Sequence, residues 1–268
     1  MICLILGDTN FPKRVLENFK KEKLEYFIID LSKRNIFKKN KDSFKINVGQ
    51  FGKMIKLMKI KKCKKVLFAG KIAKPNFSSI RMDIKGFFYL PEIIKAAKIG
   101  DAAIIKVIID ILKKEKINVI SSITFNPELS LKKGNYTKVK PNLKDKKDIK
   151  KGIDYLNKIN AYNYTQGLVV RNEFIIKVEN NSGTKKMIRS IKSTLKNSGI
   201  LIKLPKKKQD LRIDLPTIGL DTFKDCKKAG LKGIVMKHKH NIVLEKEACI
   251  KFANINKIFI NIIWKKSS

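Results

Sequence analysis

The stretch Lys203–Gly219, which reads KLPKKKQDLRIDLPTIG, concentrates side chains whose types and spacing suit chemistry at a phosphate group. Asp210 and Asp214 stand four positions apart, and two carboxylates at this spacing can hold a divalent cation. The cations around them, which can clamp phosphate oxygens, are Lys203, Lys206, Lys207, Lys208 and Arg212. Cleavage at a phosphate requires neutralisation of developing negative charge and a carboxylate that positions or deprotonates water. The stretch therefore indicates pyrophosphate chemistry.

A structural interpretation without chemistry fits the same stretch. The segment Leu211–Leu215 alternates apolar and polar residues, which is typical of a strand with Arg212 and Asp214 on its solvated face. The lysines before it would then be an exposed run, the common state of charged side chains. Residue types alone leave both interpretations open.

The first half of the chain has the pattern of a parallel α/β sheet. An apolar strand at Ile2–Leu6 precedes an amphipathic helix at Arg14–Lys23 and a second apolar strand at Phe27–Leu31, the order of a βαβ unit. Further strands are predicted at Phe44–Val48, Val66–Ala69 and Ile117–Ser121. Further helices are predicted at Gln50–Lys61, from Pro91 to Lys98, and from Asp101 to Lys116.

Two loops of this half could meet a ligand. Gly70 and Lys71 directly follow a buried strand, and ligands of open α/β sheets bind beyond the carboxyl ends of the strands. Asp30 follows Gly7 by roughly the interval of a ribose-binding acid. The G-x-G-x-x-G pattern is absent, however, so a nicotinamide-binding interpretation is weak. The loop after Gly7 can instead present backbone amides to a uridine or phosphate group.

A polar, lysine-rich stretch with Pro127 and Gly134 separates the two halves, and the domain boundary is placed at about Lys133. We expect a fold of two α/β domains: a Rossmann-like parallel sheet in residues 1–132 and a mixed α/β domain in residues 133–268. The second domain is predicted to hold helices at Asp148–Ile159, Lys185–Asn197, Thr222–Lys228 and Lys246–Asn254, a hairpin within Leu168–Glu179, and strands at Gly199–Leu204, Gly233–Met236, Ile242–Leu244 and Ile258–Trp264.

Composition favours a globular protein, with 43% hydrophobic residues. The formal net charge of +38 would suit nucleic acid or anionic lipid. Only six of the 61 basic side chains are arginines, whereas proteins that grip phosphates and read bases favour arginine. We therefore expect no specific nucleic-acid partner. The alternatives kept open are a basic nucleic-acid-binding protein without catalysis and a nucleotide-dependent enzyme of the Rossmann type.

Cysteine and histidine usage gives no sign of a metal centre. The scattered cysteines have no C-x-x-C pair, which is typical of reduced, cytosolic protein; they are Cys3, Cys63, Cys226 and Cys249. His238 and His240 lie in a lysine-rich turn between two strands, and a hairpin loop is favoured over a two-histidine metal site. The first residues lack the pattern of a signal peptide, and lysine and aspartate interrupt the most apolar helix, Ala102–Leu112, so no membrane span is predicted.

The run K-x-P-x-x-x-Q-D-x-R-x-D-x-P-x-I-G within Lys203–Gly219 resembles the signature of the UDP-2,3-diacylglucosamine pyrophosphatases of the LpxI type, a family of lipid A biosynthesis. Other segments resemble the family's motifs, in order, over nearly the whole chain. They are Gly49–Lys53 (G-x-F-G-K), Phe68–Phe77 (FAGKIAKPNF), Gly100–Asp101, Gln166–Gly167, Gly183–Thr184 and Ala229–Ile234 (AGLKGI).

The resemblance implies Mg²⁺-dependent hydrolysis of UDP-2,3-diacylglucosamine to 2,3-diacylglucosamine 1-phosphate and UMP, with the lipid held in a cleft between two domains. Asp214 would be the catalytic carboxylate and, with Asp210, the metal ligand. The positions implied to bind substrate are Lys53, Gly70, Lys71, Asp101, Gln166, Gly183, Thr184, Lys203, Gln209, Arg212 and Thr217. The resemblance also implies a cytoplasmic protein peripheral to the inner membrane, and it leaves a homodimer open.

Three positions depart from the family pattern. Ala102 stands where a second acid usually follows Asp101, and Ser182 and Lys185 stand where acids usually bracket the G-T pair. Glu179 remains a nearby carboxylate. Asp101 itself is interpreted either as a helix cap or as a substrate contact. The full set of metal ligands is therefore left open.

Overall fold

The computed structural model describes residues 1–72, 80–159, 165–192, 198–206 and 209–264, with Asp101 described by its backbone alone. It shows an α/β protein that divides into two compact units, Met1–Pro127 (unit 1) and Glu128–Ser268 (unit 2). Composition had placed the boundary slightly later, at about Lys133. The difference arises because Leu131 already packs in a core of unit 2 and exchanges hydrogen bonds with Asn241.

Unit 1 is built on a parallel sheet. The strands are β1 (Ile2–Leu6), β2 (Tyr26–Asp30), β3 (Ser43–Lys45), β4 (Lys65–Ala69) and β5 (Asn118–Ile120), in the order β3-β2-β1-β4-β5. The helices are α1 (Phe11–Lys21), α2 (Phe51–Ile60), α3 (Ile84–Ile99), α4 (Asp101–Lys114) and α5 (Ser122–Phe125). The prediction of a parallel sheet in this half is confirmed.

The sheet of unit 1 forms its core because its central strands are apolar on both faces. Cys3, Leu4 and Leu6 of β1 are fully buried, as continuous apolar runs in parallel sheets usually are. The strand order reverses between β1 and β4. The loops that leave these two strands therefore stand side by side at the carboxyl edge of the sheet, the usual position of a ligand.

The start of α3 and the cap of α4 differ from the predictions. The prediction that a helix begins at Pro91 is wrong, because α3 begins at Ile84 and contains Pro91 in its interior. The earlier start is stabilised by Asp83, whose carboxylate accepts the backbone N–H of Gly86 at 2.8 Å. The N-cap position of α4 is held by Gly100, so Asp101 is the first helical residue and not the cap. Among the described residues, no helix has the length and apolar character of a membrane span.

Asp83 joins the beginnings of two helices, and its removal should destabilise unit 1. Its carboxylate also accepts the backbone N–H groups of Gly52 (3.1 Å) and Lys53 (2.8 Å) at the start of α2. Asp83→Ala is expected to lower the free energy of unfolding by about 2 kcal/mol, since each lost cap costs about 1 kcal/mol. Urea denaturation measures this difference.

The pH dependence of the same measurement tests the cause. Partial burial raises the pKa of Asp83, but the N–H groups of Gly86, Lys53 and Gly52 outweigh it and hold the pKa below its usual value. The folded carboxyl therefore binds its proton less readily than the unfolded one, so its stabilisation is present above the unfolded pKa. That stabilisation is lost as the pH falls through the lowered pKa. An Asp83→Ala deficit of equal size at neutral and strongly acidic pH would contradict the capping role.

Unit 2 contains a mixed sheet with the strand order β6-β13-β11-β9-β7-β8 and a separate pair, β10 with β12. Its strands are β6 (Gly134–Asn135), β7 (Gly167–Arg171), β8 (Phe174–Val178), β9 (Ile200–Lys203), β10 (Thr217–Ile218), β11 (Gly233–Lys237), β12 (Ile242–Val243) and β13 (Phe259–Ile263). Its helices are α6 (Leu143–Ile159), α7 (Gly183–Arg189), α8 (Leu220–Lys228) and α9 (Lys246–Ile255). The predicted hairpin is β7 and β8, which pair antiparallel. Residues 193–197 of the predicted helix at Lys185–Asn197 lie outside the described residues.

The mixed sheet is covered on both faces, so successive residues of its strands enter different cores. In β9, Leu201 packs in the cluster that includes Phe223 of α8, whereas Ile200 and Ile202 pack in the cluster that includes Leu156 of α6. This alternation follows from the two-residue repeat of a strand. It holds the carboxyl end of β9 firmly between two packed layers.

Candidate active site

The carboxyl end of β9 lies beside the start of β7 and the residue that follows β8. Lys203, the last residue of β9, is paired with Gly167, the first of β7. The N–H of Glu179 donates to the carbonyl of Gly167 at 2.9 Å, and the N–H of Leu204 donates to the carbonyl of Gln166 at 2.8 Å. Because β7 is antiparallel to both neighbours, three chain segments that are distant in sequence meet at this edge.

Lys203 is the centre of this edge. Only 6% of the residue is exposed, and its Nζ donates to Thr184 Oγ1 at 2.8 Å and to the carbonyl of Thr217 at 3.2 Å. Thr184 Oγ1 in turn donates to Glu179 Oε1 at 2.6 Å. Thr184 lies in the first turn of α7 and Thr217 lies in β10. The structure therefore brings together Lys203, Thr184 and Thr217, three of the residues implied by the family resemblance.

Charges of both signs surround Lys203. Burial lowers the pKa of its amine, while the nearby carboxylates of Glu179 and Asp214 raise it and Lys206 lowers it further. The net pKa lies below the usual value for lysine. The two carboxylates thus oppose the effect of burial, which favours the neutral form of the amine.

Glu179 is buried, with 5% of the residue exposed. Its Oε2 has no hydrogen-bond partner within the described part of the chain. A Cβ added at Gly167 would lie 2.9 Å from this oxygen, so the carboxylate packs closely against the backbone of Gly167. A buried carboxylate oxygen without a partner is costly unless a ligand, ion or water completes it.

The segment that precedes Asp214 is a turn, so the structural interpretation that placed a strand at Leu211–Leu215 is wrong. The N–H groups of Ile213 and Asp214 donate to the carbonyl of Asp210 at 3.1 and 3.0 Å. The Asp210 side chain also accepts the N–H of Arg212 at 2.9 Å. An aspartate that bonds its own backbone two residues on favours a turn, and here it outweighs the alternating pattern.

Asp210 and Arg212 also form an ion pair across this turn. Arg212 Nε donates to Asp210 Oδ1 at 3.0 Å, and Arg212 NH2 donates to Asp210 Oδ2 at 2.7 Å. The side-chain and backbone hydrogen bonds from Arg212 lower the pKa of Asp210, although partial burial raises it. Both oxygens of this carboxylate are therefore engaged by one guanidinium, in the bidentate arrangement typical of arginine.

Gln166 and Gln209 present further polar atoms in unit 2. Gln209 Oε1 accepts the N–H of Lys206 at 2.8 Å and so fixes the loop that leads to the turn. Gln209 Nε2 and Gln166 Oε1 are buried and lack a hydrogen-bond partner among the described residues. Gly183 is the first residue of α7. Lys207 and Lys208, two of the cations identified in the sequence, lie outside the described residues.

The predicted residues of unit 1 lie in two places. Lys71 and Asp8 exchange backbone hydrogen bonds of 3.0 and 2.8 Å, which join the loops after β4 and β1. Gly70 has φ +87°, and a Cβ there would lie 2.4 Å from Pro12 Cγ. Lys53 lies in the first turn of α2, where its N–H is bound by Asp83 as described above. The side chain of Asp101 is not among the described atoms.

The residues behind the rival interpretations have structural roles. Asp30 is fully buried, and its carboxylate accepts the N–H groups of Ser32 (2.7 Å) and Phe37 (3.1 Å) of its own loop. It is therefore occupied and does not present its oxygens to a ribose. His238 Nδ1 accepts the N–H of Lys133 at 2.8 Å, and the His238 ring lies 4.5 Å from that of Trp264.

The oxygen donors of unit 2 suit Mg²⁺ in their chemistry. Mg²⁺ is usually held by one or two carboxylates together with water and substrate phosphates. Asp214 has a half-buried carboxylate close enough to Lys203 to raise its pKa. Within the described ranges, no group of three histidine, cysteine or acidic side chains forms a preassembled metal site. Asp214 is therefore the residue of this site that would hold a Mg²⁺ ion, with substrate and solvent as the further ligands.

In the sequence Glu179 is only a carboxylate near the signature. In the structure it accepts a hydrogen bond from Thr184, and its charge raises the pKa of Lys203. The sequence held one signal for this position of Glu179, the Gln166–Gly167 pair before a strand. The Glu179 carboxylate approaches the backbone of Gly167 closely. This signal could be interpreted only with the pairing of β7 and β8, which brings Glu179 beside Gly167.

Comparison with known proteins agrees with this architecture. The LpxI N-terminal domain matches residues 1–129, and the LpxI C-terminal domain matches residues 132–261. The UDP-2,3-diacylglucosamine pyrophosphatase LpxI of Caulobacter vibrioides (strain ATCC 19089 / CIP 103742 / CB 15) is 33% identical over 223 residues, which cover 80% of this chain and 80% of that protein. The resemblance found in the sequence motifs is thereby confirmed, and the chain belongs to the LpxI family.

Proposed function

We propose that this protein hydrolyses the pyrophosphate of UDP-2,3-diacylglucosamine to 2,3-diacylglucosamine 1-phosphate and UMP, in a Mg²⁺-dependent reaction. The observation that carries the proposal is the buried Lys203 held by Thr184 and Thr217 beside the carboxylates of Glu179 and Asp214. A buried cation next to carboxylates suits a reaction in which an anionic phosphate approaches a water molecule. The name of the C. vibrioides relative supplies the substrate.

In this proposal Lys203 neutralises the pyrophosphate. Its amine is fixed by two hydrogen bonds before substrate arrives, so little reorganisation accompanies charge development on the phosphate oxygens. Thr184 accepts a hydrogen bond from the amine and donates one to Glu179, and so keeps the amine oriented. Gln209, whose buried Nε2 is a donor, binds a substrate oxygen, and Gln166, whose buried Oε1 is an acceptor, binds a substrate hydroxyl or ordered water.

Asp214 holds the metal and orients the attacking water. When bound, Mg²⁺ supplies positive charge at the phosphate oxygens. Asp210 supports Asp214 because its carbonyl accepts the N–H of Asp214 and so closes the turn between them. The carboxylate of Asp210 also fixes the position of the Arg212 guanidinium in the same turn. The water oxygen then bonds to the phosphorus on the sugar side as the bond from this phosphorus to the bridging oxygen breaks. UMP leaves with the bridging oxygen, and a proton of the water passes to solvent. Gly183 permits the tight start of α7, and Gly70, Lys71, Lys53 and Asp101 bind parts of the substrate from unit 1.

The test is UMP release from purified UDP-2,3-diacylglucosamine by the full chain, with and without Mg²⁺. We expect release that depends on Mg²⁺ and is abolished by a chelator. UDP-glucosamine without acyl chains serves as a substrate control. A folded protein that releases no UMP under these conditions would refute the proposal.

We also propose that the protein works at a membrane surface, and the outer stripe of α3 supports this. Ile84, Phe87 and Phe88 are 90%, 71% and 76% exposed and share one side of the helix at i, i+3 and i+4 spacing. Lys95 and Lys98 continue this stripe and are exposed. Apolar side chains bordered by lysines on one helix face suit an anionic bilayer surface, and the net charge of +38 adds long-range attraction.

A vesicle cosedimentation assay tests this surface. Replacing Ile84, Phe87 and Phe88 together by serine is expected to lower binding to anionic vesicles by about tenfold or more, because the buried apolar area is lost. The control replaces Phe174 and Ile255, which are similarly exposed in unit 2, by serine. Equal losses in the two variants would show that α3 has no special role.

A further inference from the structure

The backbone of Glu179 is held by two residues of the segment that enters β7. The N–H of Glu179 donates to the carbonyl of Gly167 at 2.9 Å, and the hydroxyl of Thr165 donates to the carbonyl of Glu179 at 2.8 Å. Thr165 is buried, with 6% of the residue exposed. Both backbone polar groups of Glu179 are therefore bound, and one of them is bound by a side chain.

Glu179 depends on this hold because it lies beyond the end of an edge strand. β8 ends at Val178, and in the described part of the chain it pairs with β7 alone. The end of a strand with a single neighbour opens more readily than the interior of a sheet. The Thr165 hydroxyl supplies a hydrogen bond at the point where the ladder of backbone hydrogen bonds stops.

The position of Glu179 reaches the amine of Lys203 through one hydroxyl group. Thr184 Oγ1 donates to Glu179 Oε1 at 2.6 Å and accepts from Lys203 Nζ at 2.8 Å. A hydrogen bond is lost when its two heavy atoms separate to about 3.6 Å. A displacement of the Glu179 carboxylate by about 1 Å would therefore release Thr184, one of the two groups that orient the amine.

We propose that Thr165 is a positioning residue for the hydrolysis, because its hydroxyl fixes Glu179 so that Thr184 holds the Lys203 amine where it meets the phosphate. The inference rests on the proposed function and deepens it, since Thr165 acts through Glu179 and Thr184. The alternative is that Thr165 only satisfies a buried carbonyl. In that case its loss lowers stability but not the rate per folded molecule.

Substitutions at Thr165 separate these two roles. Thr165→Val removes the hydroxyl and keeps the shape of the side chain. We expect kcat for UMP release per folded molecule to fall about tenfold to a hundredfold, with KM nearly unchanged, because a small misplacement of a catalytic group has this cost. Thr165→Ser keeps the hydroxyl and should retain most of the activity. Equal kcat values for the valine and serine variants would overturn the proposal.

The matched control is Thr137→Val in the same unit. Thr137 is also buried, and its Oγ1 donates to the carbonyl of Val139 at 2.9 Å and accepts the N–H of Ile260 at 3.0 Å. Its loss should lower stability in urea at least as much as Thr165→Val does, but it should leave kcat of the folded protein unchanged. An equal fall in kcat in the two variants would overturn the proposal.

A double-mutant cycle tests the route through Thr184. In a Thr184→Val background the Lys203 amine has already lost this oxygen, so adding Thr165→Val should reduce kcat much less than it does in the unaltered protein. Full additivity of the two losses would show that Thr165 does not act through Thr184, and it would overturn the proposal.

Amide hydrogen exchange followed by NMR requires no turnover. Exchange at the Glu179 N–H should be at least about fivefold faster in Thr165→Val than in the unaltered protein, since one hydrogen bond is lost. Thr137→Val should not change it. Unchanged exchange at Glu179 in Thr165→Val would overturn the proposal even if UMP is released. Faster exchange with no UMP release by the unaltered chain would support the hold of Thr165 on Glu179 and refute the proposed function.

Discussion

Asp214→Asn is expected to lower kcat for UMP release by about a thousandfold or more, with a much smaller effect on substrate binding. The substitution keeps the size of the side chain but removes the negative charge that holds Mg²⁺ and orients water. The loss should fall on kcat because this charge acts where the water and phosphate react. Steady-state UMP release at saturating Mg²⁺ measures it.

The controls for this variant lie close in sequence. Asp221→Asn changes an exposed aspartate at the start of α8 and should leave kcat within about twofold of the unaltered protein, since exposed substitutions rarely disturb a distant site. Asp210→Asn, which weakens the pair with Arg212, should have an intermediate effect. Full activity of a folded Asp214→Asn protein would remove the residue from the mechanism.

Lys203→Met is expected to lower kcat/KM by about a hundredfold to a thousandfold, which is the usual cost of removing one preorganised donor from a developing anion. Methionine fills much of the space of the lysine stem but offers no donor to Thr184, Thr217 or phosphate. Lys227→Met, at an exposed position of α8, is the matched control and should retain activity.

The pH profile separates the charge of Lys203 from its packing. Its pKa lies below the usual 10.5 because burial disfavours the charged amine, with Glu179 and Asp214 acting to raise the pKa and Lys206 to lower it. As the pH rises through this lowered pKa, the amine loses its proton and no longer neutralises phosphate. The kcat/KM of the unaltered protein should therefore fall on the alkaline side below pH 10.5.

Glu179→Gln tests the same profile from the other side. Removing a charge that raises the pKa of Lys203 should move the alkaline fall to lower pH while the Thr184 hydrogen bond persists. A profile that moves to higher pH, or does not move, would show that Glu179 does not support the charge of the amine.

Several features follow from the sequence alone, because they depend on neighbours along the chain. The strands at Ile2–Leu6 and Val66–Ala69 were predicted from unbroken apolar runs, which suit only a sheet buried on both faces. The hairpin within Leu168–Glu179 was predicted from β-rich halves around Asn172 and Glu173. The ordered motifs around Lys203–Gly219 identified the family.

Tertiary structure decided the features that depend on residues distant in sequence or on side-chain hydrogen bonds. The alternation at Leu211–Leu215 predicted a strand, but the carboxylate of Asp210 bonds its own backbone and makes a turn. A helix was predicted to open at Pro91, but the cap at Asp83 starts it earlier. Local patterns carry no information on which of two such conformations gains its hydrogen bonds from the rest of the chain.

The site itself shows the same division. The sequence determined which side chains with phosphate chemistry are present, since Lys203, Asp210, Arg212 and Asp214 stand in one short run. Only the folded chain decided their partners. The antiparallel pairing of β7 with β8 and β9 brings Glu179 and Thr184 to Lys203, whereas Arg212 turns back onto Asp210. The physical reason is that a buried charge takes its partner from whichever strand end lies beside it, and sheet pairing sets that neighbour.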